Sequence, residues 1–293
     1  LRFLIRLLGR VPLRVLHVLG AMLGWLVYVS DRTYRRRLRE NLARSGVVDP
    51  QHLARIRGRA IAQAGRTVAE LPCFWLRPQA RLARWVRVTG GQQHLDAAHA
   101  RGRGILFLTP HLGAFEITPQ WYGLVRPITV MYRRPKLAWL DPIVRAGRGR
   151  GQVSLVGADL GGVRAMLRAL RSGEAAGLLP DQAPGPGEGV WADFFGRPAY
   201  TITLAARLAH ATGATVLMAV SRRLPSAAGY ELEFHPLPDP LPEDPVQAAR
   251  AVNAAVEAVV ARCPDQYLWS YNRYKQPAGA PPPPPAPRSS GAG

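Results

Sequence analysis

The segment Thr109-Pro110-His111-Leu112-Gly113-Ala114-Phe115-Glu116 follows the apolar run Ile105-Leu106-Phe107-Leu108. Its histidine therefore stands where a buried strand ends and a helix is about to begin, a place where catalytic groups collect. An imidazole with a pKa near ~6.5 can take the proton of a hydroxyl. A carboxylate on the other ring nitrogen would fix the tautomer and stabilise the imidazolium that forms. Such a pair lets an alcohol attack a thioester directly, with no enzyme nucleophile. Within one continuous helix, five residues would set His111 and Glu116 about 140° apart. They meet if His111 lies in the loop and Glu116 in the first helical turns, with Gly113 easing the bend. Taken alone, a histidine five residues before a glutamate is a common chance pairing. No metal is expected, because His-Glu-x-x-His is absent and the other histidines form no cluster with His111.

Further along, residues 126–150 hold seven basic side chains, Arg126, Arg133, Arg134, Lys136, Arg145, Arg148 and Arg150, against the single acid Asp141. Arginine holds phosphates or carboxylates through bidentate hydrogen bonds, so Arg133, Arg134, Lys136, Arg148 and Arg150 are candidate ligand contacts. Docking of an acidic carrier protein or a solvated surface are the other readings of this cluster. Asp181 follows the apolar run Ala176–Leu179, again at a strand end, and pairing with an arginine such as Arg148 is its structural alternative. Phe194, Phe195 and Trp191 lie among the glycines and prolines of 184–198. They either line a slot for an apolar chain or belong to an ordinary core.

The elements that must position these groups are legible in the periodicity. From residue 104, short apolar runs at Ile105–Leu108, Ile128–Tyr132, Val153–Val156, Ala176–Leu179, Val216–Val220 and Glu231–Phe234 alternate with helical stretches at 112–123, 162–172, 200–211 and 245–262. Alternation of this kind predicts an α/β domain with a mostly buried mixed sheet flanked by helices. The last two strands should form an antiparallel pair at the sheet edge. Residues 50–85 read as helical, with Pro72 and Pro78 punctuating the end. Neither Gly-x-Gly-x-x-Gly, nor a phosphate-binding Gly-x-x-x-x-Gly-Lys-Ser/Thr, nor a Gly-x-Ser-x-Gly elbow follows any strand, which argues against a nucleotide fold and a serine hydrolase.

Thirty-nine Lys and Arg against 19 Asp and Glu give a net charge of +20, so the partner is anionic. The apolar run from Val15 to Val29 carries arginines 2, 6, 10 and 14 ahead of it and arginines 32, 35, 36, 37, 39 and 44 behind it. Residues 1–29 are expected to form an uncleaved membrane anchor helix, short of the ~20 residues a spanning helix wants. The basic stretch behind it puts the following domain on the cytoplasmic face of the membrane, against its anionic lipids. The domain should run over 30–276, and the proline-rich residues 277–293 should be disordered. Two cysteines, Cys73 and Cys263, form no disulfide framework. A membrane-tethered basic nucleic-acid-binding protein is the reading from another class. No nucleic-acid motif supports it, and no nucleic acid is expected as a partner.

Several ordered motifs, taken together, resemble the bacterial lipid A biosynthesis acyltransferases that add lauroyl or myristoyl chains, within the lysophospholipid acyltransferase-like superfamily. They are Thr-Pro-His-Leu-Gly-Ala-Phe-Glu at 109–116, Met131-Tyr132-Arg133-Arg134-Pro135, Ala146-Gly147-Arg148-Gly149-Arg150, Leu179-Pro180-Asp181-Gln182, Phe194-Phe195-Gly196, and Pro264-Asp265-Gln266-Tyr267-Leu268-Trp269 leading to Arg273-Tyr274-Lys275. The resemblance runs to about Lys275. It implies a glycerol-phosphate-acyltransferase-like fold, an acyl carrier protein as donor, a lipid A precursor as acceptor and no cofactor. It places the catalytic roles on His111, Glu116, Arg148 and Asp181. Pro110 stands where many relatives have asparagine, and Ser270-Tyr271-Asn272 where relatives often carry a histidine. The nearest alternative in the superfamily is a phospholipid or phosphatidylinositol-mannoside acyltransferase that uses acyl-coenzyme A.

Overall fold

The computed structural model describes residues 9–135, 137–185 and 187–284. Helices α1 (Leu13–Ser30), α2 (Arg32–Arg44), α3 (Leu53–Leu76) and α4 (Gln79–Ala83) lead into an alternating α/β body. That body runs β1 (Val86–Gly90), α5 (Gln92–Arg101), β2 (Ile105–Leu108), α6 (Ile117–Tyr122), β3 (Ile128–Tyr132), α7 (Asp141–Arg148), β4 (Val153–Gly157), α8 (Leu160–Arg171) and β5 (Ala175–Leu178). A hairpin of β6 (Gly189–Phe194) and β7 (Arg197–Ile202) follows, then α9 (Leu204–Thr212), β8 (Thr215–Arg223), β9 (Tyr230–Pro236) and α10 (Pro245–Arg262).

Seven strands form one sheet in the order β1-β9-β8-β2-β5-β3-β4, parallel throughout except for β8 against β9. The central strands β2 and β5 are buried at all four positions, as expected of strands covered on both faces. Leu106, Leu108, Ala176 and Leu178 face a core closed by Met166 and Leu170 of α8 and Val252 and Val256 of α10. Ile105, Phe107, Ala175 and Leu217 face the opposite side, with Leu95 of α5 and Tyr122 of α6.

The chain departs from the sequence expectations at several places. The antiparallel pair is not at the edge, because β1 adds in parallel to β9. The helix expected at 200–211 is divided into β7 and α9, since residues 197–202 pair with 189–194. Pro72 lies inside α3, which continues to Leu76. The helix expected from 112 begins only at Ile117. Residues 277–281, expected to be disordered, form a turn docked on the body: the Ala280 amide donates to Pro277 O, and the Trp191 indole donates to Pro281 O at 2.8 Å. Residues 285–293 of that tail lie outside the described residues.

Helix α1 is packed along α3 and does not stand apart from the body. Its buried positions Leu13, Leu16, His17, Gly20 and Gly24 fall three and four apart on one stripe. A Cβ at Gly65 would sit 1.9 Å from Gly20 O, so only glycine permits the backbones to approach this closely. The opposite stripe, with Val18, Leu19, Met22, Trp25, Leu26 and Val29, is exposed and apolar. Residues 1–8 of the expected anchor lie outside the described residues.

Candidate active site

Adjacent parallel strands β2 and β5 end side by side, with the Thr109 amide donating to Leu178 O at 3.0 Å as the last rung. The segments that leave them therefore emerge together, one carrying His111 and the other Asp181. His111 Nδ1 lies 2.8 Å from Asp181 Oδ1, and the His111 main-chain N–H donates to Asp181 Oδ2 at 2.9 Å. Asp181 is 2 % exposed and the histidine side chain 10 %. The imidazole lies between Phe115, at 4.9 Å between ring centres, and Tyr271, nearly parallel to it at 6.2 Å.

The loop that carries His111 is fastened at each turn. Gly113 adopts φ +59°, and a Cβ there would meet Ser221 O at 2.2 Å, so the bend requires glycine. The amides of Gly113 and Ala114 donate to Gln266 O and Ser221 O at 2.9 and 2.8 Å, and Leu268 N–H donates to His111 O at 3.1 Å. These bonds bend the chain over 109–116 and delay the helix to Ile117. Behind the loop, the buried Arg223 guanidinium donates to Gly113 O at 3.2 Å and makes a two-bond fork to Glu70 at 2.7 and 2.8 Å. Glu70 also accepts from the Tyr230 hydroxyl at 2.9 Å and pairs with His17 of α1. One buried polar network thus joins α1, α3, β8 and the histidine loop.

Burial disfavours the imidazolium of His111. The charge and hydrogen bond of Asp181, aided by Glu116, outweigh it and raise the ring's pKa above its ordinary value. Burial likewise opposes the Asp181 carboxylate, but His111, its main-chain N–H and Arg273 hold the acid below its ordinary range. The pair is an ionised carboxylate that orients a histidine.

Glu116, expected against His111, is turned to Arg148 instead. Arg148 Nε donates to Glu116 Oε2 at 2.8 Å and Nη2 closes the fork on Oε1. The carboxylate on the ring comes from the neighbouring strand end, and Asp181 does not pair with Arg148. The four residues are gathered in one site, with partners exchanged. Arg148 is further fixed over the rings of Trp75 and Tyr132 at 5.7 and 5.8 Å.

An apolar slot meets the site at Glu116 and Arg148 and at Phe115, the ring packed on His111; His111 and Asp181 themselves stand outside its lining. Phe107, Ile128, Val130, Val153, Leu155 and Gly177 line it, and Thr109, Glu116 and Arg148 line it too. Ile128 and Tyr132, the first and last residues of β3, both border it. The slot therefore follows the strand for about 13 Å, at about 3.3 Å per residue.

The remaining expected contacts divide. Arg133 and Arg134 are exposed just beyond β3, and the charge of Arg133 acts on Tyr271. The Arg150 guanidinium is engaged within the fold: it donates to the carbonyls of Arg77 and Phe74, closing the C-terminal end of α3. Phe194 and Phe195 do not line the slot. They pack on each other and on Tyr267 and Trp269, and Phe194 lies under Arg273 in the core. Lys136 lies outside the described residues. Among the described residues no group of three His, Cys, Asp or Glu side chains could hold a metal. Gln182, Phe115 and Tyr271 contact His111 but were assigned no role from sequence. The signal for Gln182 is its adjacency to Asp181, and for Tyr271 its place in Ser270-Tyr271-Asn272, where the chain departs from its relatives.

Residues 2–276 match the family model for bacterial lipid A biosynthesis acyltransferases. The chain belongs to that family. It is 30% identical over 273 residues to the lipid A biosynthesis palmitoleoyltransferase of Escherichia coli (strain K12), covering 91% of this chain and 87% of that protein. It is 29% identical over 282 residues to the lauroyltransferase of the same strain, covering 94% and 90%. A phosphatidylinositol mannoside acyltransferase of Mycobacterium tuberculosis (strain CDC 1551 / Oshkosh) is 30% identical over 191 residues, 61% of this chain and 58% of that protein. Family membership makes the chain an acyltransferase, and the groups around the apolar slot are its candidate catalytic residues.

Proposed function

We propose that this acyltransferase moves a fatty acyl chain from acyl carrier protein to a hydroxyl of a lipid A precursor by direct attack. The observation that carries this reading is the His111–Asp181 pair at the strand ends, joined through Phe115 to an apolar slot that Glu116 and Arg148 also line. His111 Nε2 takes the acceptor's hydroxyl proton while Asp181 holds the proton on Nδ1. The oxygen bonds to the thioester carbonyl carbon, the C–S bond breaks, and the thiolate leaves with the proton returned from Nε2. The acyl chain lies in the slot along β3. Arg148, fixed by Glu116, supplies positive charge beside the reacting carbonyl, and Arg133 and Arg134 meet the acceptor's phosphates. Neither cysteine serves as a nucleophile: both are buried, and burial pushes each thiol up to about 12.

The uncovered apolar stripe of α1 supports an enzyme that rests in a membrane, and the arginines at 32, 35, 36, 37 and 39 that follow it support a domain on the cytoplasmic face of the inner membrane. The test is to supply the purified protein with acyl carrier protein thioester and a lipid A precursor and to weigh the product. One added chain is expected, with His111→Ala folded and nearly inactive. A folded His111→Ala protein with normal turnover refutes the assignment. Similarity to a phosphatidylinositol mannoside acyltransferase supports a second reading, with acyl-coenzyme A as donor, and competing both donors and both acceptors in one reaction separates the two.

A further inference from the structure

His111 Nε2, the atom that would receive the acceptor's proton, already has a neighbour. The Gln182 side-chain nitrogen lies 3.1 Å from it. Asp181 is ionised and can only accept, so the proton of the neutral ring is on Nδ1 and Nε2 carries the lone pair. Gln182 therefore donates an amide N–H to that lone pair. The next residue is anchored as well, since Ala183 N–H donates to the Tyr271 hydroxyl at 3.0 Å. The charged and titratable groups that face the ring are Asp181 beyond β5, Glu116 at the start of α6, Arg148 at the end of α7 and Tyr271 in the C-terminal segment. Tyr267 and Arg273 act on Asp181 from behind. Among the described residues Gln182 alone bonds to Nε2.

We propose that Gln182 is a positioning residue for His111: its amide N–H occupies the Nε2 lone pair until an acceptor hydroxyl displaces it, and its carbonyl, after rotation, accepts from the imidazolium. The proposal rests on His111 being the base. A primary amide suits the task because it can donate to the neutral ring and accept from the protonated one without adding a charge that favours either. Gln182 exchanges no proton. The proton passes from the hydroxyl to Nε2 and then to the leaving thiolate. Asp181 and Gln182 then hold the ring at both nitrogens, and Phe115 and Tyr271 hold its faces.

Gln182→Glu puts an acceptor-only carboxylate at Nε2, which favours the imidazolium and removes the lone pair. Gln182→Met keeps the length and removes the hydrogen bond. The test uses the full chain in detergent. Ring NMR titration of His111, assigned by its loss in His111→Ala, is run beside the pH profile of acyl transfer. For Gln182→Glu the His111 midpoint should rise by at least one pH unit. Its kcat/KM should fall with the neutral-ring fraction, roughly five- to tenfold at pH 7 for a one-unit rise, and recover to within about threefold of wild type at pH 9. Gln182→Met should raise the midpoint by less. An unmoved midpoint in Gln182→Glu, whether or not activity is lost equally at every pH, overturns the role of Gln182. A moved midpoint whose rates do not follow it marks the failure of His111 as base instead.

Discussion

Replacing Asp181 by asparagine tests which carboxylate serves His111. Asp181 accepts two hydrogen bonds from His111, at the main-chain N–H and at Nδ1. Asparagine can keep its carbonyl oxygen for only one of them. If the oxygen stays with the main-chain N–H, the amide NH₂ faces Nδ1, which must then be the lone pair. The proton moves to Nε2, the nitrogen that has to accept. An amide exchange behind a catalytic histidine lowers kcat by about 10⁴, or about 5.4 kcal/mol of transition-state stabilisation. Glu116→Gln removes a charged fork from Arg148 and leaves the tautomer alone, so the expected cost is one charge-assisted bond, about 1.5–3 kcal/mol or roughly 10–150-fold. The assay is acyl transfer by both variants across pH 6–9, with folding checked by circular dichroism. Near-normal activity in Asp181→Asn, with a loss of about 10⁴ in Glu116→Gln, would return Glu116 to the ring and refute the pairing seen here.

Four further outcomes follow from the structure. Transfer should be slow in acid and rise with pH through an apparent pKa above about 6.5, because Asp181 keeps the ring protonated longer than burial alone would; a kcat/KM profile with its acid limb below pH 6 contradicts this. The stability that the ion pair gives the fold is complete only between about pH 4 and about pH 6.5: it is lost above as pH rises through the raised value of His111, and lost in acid as pH falls through the lowered value of Asp181, which unfolding followed across pH would show. Gly177 lies opposite Phe107 and Val130 on the slot face, and a Cβ there would meet Ile128 and Val130 side chains at an ordinary 3.7 Å; Gly177→Ala should fold normally, while Gly177→Leu should shift product masses toward shorter acyl chains, and unchanged masses would remove the chain from this slot. Glu70→Ala leaves Arg223, whose side chain is 1 % exposed, without its counter-charge; unfolding in denaturant should show a loss of about 3–5 kcal/mol, with Glu70→Leu/Arg223→Met losing clearly less.

Local pattern determined much of this protein. The runs Ile105–Leu108 and Ile128–Tyr132 are strands with those bounds, and residues 245–262 form a helix, because a continuous buried run and a long periodic one are each decided by neighbours a few residues away. The same pattern placed His111 at a strand end and required Gly113 for the bend. It did not find β1, whose alternation is regular but only five residues long, or the β6–β7 hairpin, whose burial does not alternate along its length. Nor could it decide whether Arg150 met a ligand or the carbonyls closing α3, since that depends on where residues 74 and 77 lie in space. The partner of His111 was beyond it for the same reason. Glu116 is five residues away and Asp181 seventy, yet β5 lies next to β2 in the sheet, so the distant carboxylate reaches Nδ1 and the near one is left to Arg148. Sequence supplied the chemical groups and the strand ends that present them. Sheet order, a property of the folded chain alone, decided which of those groups touch.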